Sequence, residues 1–289
     1  MALVAPAGPL RGEEEATRAI ENARALGWEP VLGAHALERC GYLAGGDAAR
    51  LADLNRAISA HDVDGIWCLR GGYGVMRILD GVDYDALRRR PKALIGYSDI
   101  TALHLSVRAR CNILTYHGPT ARGMLSGFSR RSLERAVMTS EDPCGAAPAA
   151  RALRGGRAQG VLVGGNLALI TALQGTPYAA RYAGAILVLE DVNEAVYRID
   201  RMLQQLRLAG ALATCAALAF GSFTERGEEG EGDARALDTL LEECAAAAGV
   251  PCLRDVPVGH IDDQWTLPPG AVAELDADAA TLTVSAAAA

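Results

Sequence analysis

Leu94-Ile95-Gly96-Tyr97-Ser98-Asp99-Ile100-Thr101 joins a short apolar run directly to a helix-like segment, and the rest of the chain can be read outward from it. A buried strand that ends in Gly-x-Ser and turns at once into a helix lifts the serine hydroxyl out of the sheet. The first free N–H groups of that helix, and the positive end of its dipole, point to the same place and suit an oxyanion. An ordinary N-cap serine occupies the same position, so the local sequence alone leaves both roles open. The Gly-x-Ser-x-Gly pattern of the α/β-hydrolases is not met, because position 100 is Ile.

On either side of this turn, as far as about residue 140, short apolar runs alternate with helical patterns. Strands are expected at Ala2-Ala5, Gly65-Leu69, Ala93-Gly96 and Asn112-Tyr116, and helices at Glu13-Leu26, Asp47-Ala60, Asp99-Ala109 and Arg130-Met138. Leu51, Leu54 and Ile58 fall three and four apart and give one apolar stripe. This alternation predicts an α/β chain whose N-terminal domain (1–140) is a doubly wound parallel sheet, with ligands beyond the carboxyl ends of its strands. Residues 141–160, rich in Ala, Gly, Pro and Arg, read as a linker.

A C-terminal mixed α/β domain (161–289) is expected to follow. It has a strand at Ala185-Leu189, a helix with Val192, Val196, Ile199, Leu203 and Leu206 on one face, and antiparallel strands near Val272-Leu275 and Thr281-Val284. The Glu225-Arg235 segment reads as a solvated loop.

The 289 residues are 50% hydrophobic, enough for two substantial cores, and the net charge is -7. No basic stripe with interleaved aromatics is present, so nucleic-acid and anionic-membrane partners are not expected. Met1-Ala2-Leu3-Val4-Ala5-Pro6 lacks the basic start and long apolar core of a signal peptide, and a cytoplasmic location is expected. The seven cysteines are scattered without a Cys-x-x-Cys pair, which argues against a disulfide framework and a thiolate zinc site. Cys68, Cys111 and Cys215 lie in apolar runs and read as small core residues.

Glu190 and Asp191 end the apolar strand 186–189. Asp191 with Glu194 three residues on forms a capping box, which leaves Glu190 over, aimed beyond the sheet edge. A metal site is not expected, because no supporting ligand stands at a suitable spacing. Among the histidines, His35, His61 and His104 read as bland. His117 and His260 each follow an apolar run beside a glycine, and spacing does not choose between them as a general base. Arg70-Gly71-Gly72-Tyr73-Gly74 follows a strand and lets backbone N–H groups approach an anion, without matching a dinucleotide fingerprint or a P-loop. Gly164-Gly165-Asn166 is a second glycine turn.

Taken in order, Arg70-Gly71-Gly72-Tyr73-Gly74, Gly96-Tyr97-Ser98-Asp99-Ile100-Thr101, His117-Gly118-Pro119, Gly164-Gly165-Asn166, Leu189-Glu190-Asp191 with Tyr197-Arg198-Ile199-Asp200-Arg201, and Gly259-His260 closely resemble the LD-carboxypeptidase (muramoyltetrapeptide carboxypeptidase) family. The resemblance implies a serine peptidase without cofactor, with a triad at Ser98, Glu190 and His260. It implies an oxyanion hole from the backbone N–H groups of Gly72 and Asp99, and substrate contacts from Arg70, Gly71, Tyr73 and Asn166. The implied reaction releases terminal D-alanine from a murein tetrapeptide in cell-wall recycling. A homodimer is also implied, as is a short leader ahead of residue 1. Ser98 would belong to one domain and Glu190 and His260 to the other, so the site would assemble at their interface and respond to domain movement.

Two other functions compete. A sister branch, the microcin C immunity hydrolases, cleaves aminoacyl-nucleotide amides and tends to carry an aromatic-bearing insertion for base stacking, for which the sequence offers no evident candidate. The other is a non-catalytic protein that binds peptidoglycan fragments, against which the intact Ser98, Glu190 and His260 argue.

Overall fold

The computed structural model describes residues 1–225 and 233–285. Its first half alternates β1 (Ala2–Val4), α1 (Glu13–Ala25), β2 (Val31–Leu32), α2 (Asp47–Ser59), β3 (Gly65–Cys68), α3 (Tyr84–Arg89), β4 (Ala93–Gly96), α4 (Thr101–Cys111), β5 (Tyr116–His117) and α5 (Gly127–Met138). The strands form an all-parallel sheet in the order β2-β1-β3-β4-β5. Side chains alternate between its faces. Leu3, Trp67 and Ile95 pack with Ala16, Ala19 and Ala23 of α1 and Leu133 of α5. Val4, Ile66, Cys68 and Leu94 pack with Leu54 and Ile58 of α2, Leu87 of α3 and Leu103 of α4. With both faces covered, the sheet is doubly wound, as the alternation predicts. The strand order reverses between β1 and β3, and ligands to such sheets bind at that crevice. The Arg70–Gly74 loop leaves the sheet there, its Gly71 carbonyl accepting from the Gly8 N–H at 3.0 Å.

Some boundaries differ from the expected ones. The strand expected over 112–116 is confined to Tyr116–His117, because Asn112 ends α4 in the left-handed conformation and its N–H donates back to Arg108. Helix α5 starts at Gly127 rather than Arg130, with the Ser126 hydroxyl accepting from Ser129 N at 3.1 Å as its cap.

The second half holds β6 (Gly145–Ala146), β7 (Arg151–Arg154), β8 (Arg157–Asn166), α6 (Leu167–Ala172), β9 (Ala185–Glu194), α7 (Val196–Leu208), α8 (Ala211–Thr214), β10 (Ala217–Glu225), α9 (Asp233–Ala248), β11 (Cys252–Arg254), β12 (Val272–Asp276) and β13 (Thr281–Val284). These strands make one mixed sheet in the order β6-β13-β12-β8-β9-β10-β11-β7. Strands β8 to β11 are parallel, and β6, β13, β12 and β7 flank them antiparallel. The stretch 141–160 is therefore not a plain linker: it supplies β6, β7 and the start of β8, two of them as the sheet's edge strands. Short antiparallel edge strands carry little apolar periodicity, which is why composition alone hid them. Of the segment 225–235, residues 226–232 lie outside the described residues, and its two ends belong to β10 and α9.

Strand β9 continues through Glu194, so Val192 belongs to the strand and Asp191 does not cap α7, whose N-cap is Ala195. Asp191 instead accepts from Ala168 N at 3.0 Å, at the first turn of α6, and from Asn166 Nδ2 at 2.9 Å. Ile199, Leu203 and Leu206 form the buried face of α7 as the spacing predicts.

The two sheets share one core. The cluster containing Leu94 and Leu103 runs on into Leu167, Ile170, Leu187, Leu189 and Leu203 without interruption. Hydrogen bonds add to this packing. His117 and Leu267 exchange backbone bonds of 2.8 and 2.9 Å. The Ser129 hydroxyl of α5 donates to the Asp262 carbonyl at 2.7 Å and accepts from Gln264 N at 2.8 Å. Ser132 accepts from Thr266 N at 2.8 Å. The segment after β11 is thus fastened to the first half of the chain, which opposes free domain movement. Ser129→Ala leaves the buried Gln264 N–H without its partner and the Asp262 carbonyl with only the longer Ser126 contact of 3.3 Å, and should lower stability by about 1–3 kcal/mol. Urea unfolding checks this, and an unchanged midpoint would contradict the fastening.

Candidate active site

Ser98 stands directly beyond β4 with φ +64°, a left-handed backbone that is uncommon outside glycine. Residues 98–100 form a single 3-10 turn before α4 begins at Thr101, and the Ser98 side chain makes no capping bond. The serine is therefore not an N-cap: the strained turn presents its half-buried hydroxyl at the sheet's carboxyl edge.

Two neighbours hold this turn. Gly71 lies so close that a Cβ there would fall 2.8 Å from Ser98 Cβ and 3.0 Å from its Oγ, so only glycine fits. The Asp99 side chain, buried beside it, accepts from Val75 N at 2.9 Å and ties the turn to the end of the glycine loop. Burial pushes the Asp99 carboxyl up to about 6, against the pull of the Val75 N–H and the Arg50 guanidinium. Arg50, itself buried, donates to the carbonyls of Pro6 and Gly74 and braces the loop from the other side.

Glu190 and His260 meet across the second half of the chain. Glu190, fully buried near the end of the parallel part of β9, is paired in register with Asn166 of β8. Its Oε2 accepts from His260 Nδ1 at 2.9 Å, and among the described residues Oε1 has no partner. Gly259 makes room for this pair, since a Cβ there would fall 2.9 Å from Glu190 Oε2. A carboxylate can only accept, so the imidazole proton is on Nδ1 and the Nε2 lone pair is free. The His260 ring, 20% exposed, lies 4.8 Å from the Tyr97 ring, the residue before Ser98. The pair is thereby brought beside the Ser98 turn. No hydrogen bond joins Ser98 Oγ to His260 in this structure.

The other histidines separate clearly. His117 is fully buried, both ring nitrogens lack partners among the described residues, and burial, then His104 and His260, hold it well below its ordinary range. A ring so enclosed cannot meet a substrate, so His260 is the base candidate that geometry favours. His104 is also buried, with Nε2 2.7 Å from the Gly96 carbonyl.

The expected substrate contacts divide. Arg70 donates to the Pro9 carbonyl and stands among Arg11, Arg39 and Arg122, and the nearby Glu15, paired with Arg122, offsets only part of that charge, so the corner of the crevice is net cationic. Tyr73 is 48% exposed and packs edge to face on the exposed Tyr42 at 5.7 Å. This aromatic pair was hidden from sequence reasoning because its members lie in separate loops. Asn166 is buried, with both polar ends of its side chain engaged by Asp191 and Leu169 N, and it faces no crevice. Its backbone N–H donates to Thr101 Oγ1 at 3.0 Å, another bond between the two halves.

The LD-carboxypeptidase N-terminal domain matches residues 1–118, and the LD-carboxypeptidase C-terminal domain matches residues 159–275. A murein tetrapeptide carboxypeptidase of Pseudomonas aeruginosa is 36% identical, over 96% of this chain and 92% of its own. The chain belongs to the LD-carboxypeptidase family. Among solved structures, the muramoyltetrapeptide carboxypeptidase of Oxalobacter formigenes superposes with a TM-score of 0.85 at 28% identity, covering 98% of this chain and 97% of that one. An MccF-like protein of Bacillus anthracis has a TM-score of 0.88 at 20% identity, covering 99% and 96%, which shows a shared fold. Among the described residues of this LD-carboxypeptidase, no helix is long and apolar enough to cross a membrane.

Gly71→Ala should cut carboxypeptidase turnover by about a hundredfold or more, because it would displace the candidate nucleophile Ser98, and a shift of even an ångström is costly. The overpacking should also lower stability by about 1–3 kcal/mol. Turnover near wild type would show that Ser98 is not confined by this contact. Asp99 makes a second prediction. Its folded pKa lies above the unfolded value, so the folded chain holds the extra proton and stability falls as pH rises from about 4 to about 6. Asp99→Asn keeps an acceptor for Val75 and removes the titration. Relative to it, the wild type should lose up to about 3 kcal/mol across that window. Parallel urea-midpoint profiles for the two proteins would contradict this.

Proposed function

We propose that this LD-carboxypeptidase is a serine peptidase that releases terminal D-alanine from murein tetrapeptide, with Ser98 as nucleophile, His260 as general base and Glu190 as its orienting carboxylate. The Glu190–His260 bond of 2.9 Å, set beside a left-handed Ser98, carries this reading. With Nδ1–H committed to Glu190, the His260 Nε2 takes the serine proton as Oγ attacks the scissile carbonyl, then returns it to the leaving D-alanine amine. As the imidazole becomes cationic, the buried Glu190 gains an ion pair that the resting site lacks, which is stabilisation confined to the transition state.

The backbone N–H groups of Gly72 and Asp99 are the proposed oxyanion donors. The substrate's free carboxylate goes to the cationic corner at Arg70, while Gly71 and Tyr73 line the approach. On this reading the protein is a cytoplasmic homodimer that acts on recycled wall peptides. The name and full-length similarity of the Pseudomonas aeruginosa relative support the substrate.

A second reading keeps the chemistry and replaces the peptide by an aminoacyl-nucleotide amide. The exposed Tyr42–Tyr73 pair, able to stack on a base, is the observation in its favour. Mass spectrometry of digests distinguishes the two. Incubation with murein tetrapeptide should yield tripeptide and D-alanine, and an acyl-sulfamoyl adenylate should stay intact. The reverse pattern would replace the first reading by the second. Glu190→Gln should retain binding and lose about three to four orders of magnitude in kcat, because the imidazole is then no longer held in its working tautomer.

A further inference from the structure

A cavity of about 520 Å³ opens between the second half of α4, strands β8 and β9, and the segment 177–183, and it includes none of Ser98, Glu190 and His260. Its polar wall comes from Arg108, Arg181 and Asn112, its apolar wall includes Leu105, Val161 and Val163, and no lining residue is acidic. Pockets of this volume take ligands of peptide fragment size.

Two observations make it a site rather than a gap. Arg108 and Arg181 stand near enough that the like charge of Arg181, after burial, pushes the Arg108 guanidinium down, and among the described residues neither is in an ion pair. Arg108 has only a long contact of 3.4 Å, to the Asn112 carbonyl. His104, four residues before Arg108 and so on the same helix face, is completely buried. Its Nε2 faces the Gly96 carbonyl, which can only accept, so the proton is on Nε2 and Nδ1 is a bare acceptor. No donor among the described residues meets that Nδ1, and the atoms around it close it off, so His104 backs the cavity wall without facing a ligand. Burial lowers the ring to about 4, so it stays neutral near neutral pH.

An uncompensated pair of cations beside an apolar wall selects one kind of molecule. We infer that this cavity binds a small organic acid with an apolar side, such as an N-acylamino acid or a short peptide ending in an apolar residue. The carboxylate bridges Arg108 and Arg181, and the apolar part lies against Leu105 and Val163. The ligand spans α4 and the second sheet, and His104 links its site to the end of β4 that carries Ser98. This inference does not rest on the proposed reaction.

N-acetyl-L-leucine is a suitable probe, titrated by calorimetry into the full chain, with N-acetyl-L-leucinamide as its uncharged counterpart. One saturable site in the millimolar range or tighter is expected for the acid. Binding should be at least about tenfold weaker for the amide and for the Arg108→Gln/Arg181→Gln protein, as loss of charge-assisted bonds implies. Arg181→Gln alone, at an exposed position, should show a partial loss and guards against misfolding of the double variant. His260→Ala should leave the affinity unchanged. No saturable binding, binding that survives the double variant, or binding abolished by His260→Ala would each overturn the assignment.

Discussion

Ser129 and Ser132, one helical turn apart on α5, hold the backbone of 262–266 by their hydroxyls, and the place of His260 in the molecule depends on that grip. His260 lies on an irregular segment that no sheet ladder controls. Without those bonds, and the His117–Leu267 exchange beside them, its ring would be free to leave Tyr97. Because the bonds are made to the first half of the chain, the segment belongs structurally to both halves. The candidate site, drawn from both halves of the chain, is held at a fixed spacing by buried hydroxyl bonds and a shared apolar core.

The same seam explains where strain is located. Ser98 pays for its left-handed backbone with some loss of local stability, and such a residue persists only where its surroundings over-determine it. They do so here: Gly71 leaves no slack on one side, Asp99 binds Val75 on another, and Thr101 accepts from Asn166 across the domain boundary. Asp99 and Asp191 have parallel roles, each a buried carboxyl that satisfies backbone N–H groups at a turn. Each is pushed up to about 6 by burial.

How much of this was legible in the sequence depends on the type of signal. The first sheet could be read because its strands are continuous apolar runs separated by periodic helices, and Ser98 stood at a strand end by position alone. The candidate set of Ser98, Glu190 and His260 came from family resemblance, since spacing left His117 and His260 equivalent; the Glu190 bond to His260 and the burial of His117 separate them. Asp191 shows the limit of local patterns: a capping box at Asp191 and Glu194 fits the sequence, yet β9 runs through both and the carboxylate serves α6 instead. The strands in 145–154 and the Tyr42–Tyr73 pair could not be read, because edge pairing and cross-loop contacts are set by tertiary packing, not by periodicity.

The central claim is that Ser98 performs the chemistry at this seam with His260 and Glu190. Its most direct test is the rate of D-alanine release from murein tetrapeptide by Ser98→Ala beside wild type, with unfolding midpoints showing both to be folded. The account predicts a fall of about four orders of magnitude or more in kcat, as for removal of the nucleophile from other serine hydrolases. Release by Ser98→Ala at a rate close to wild type would contradict it.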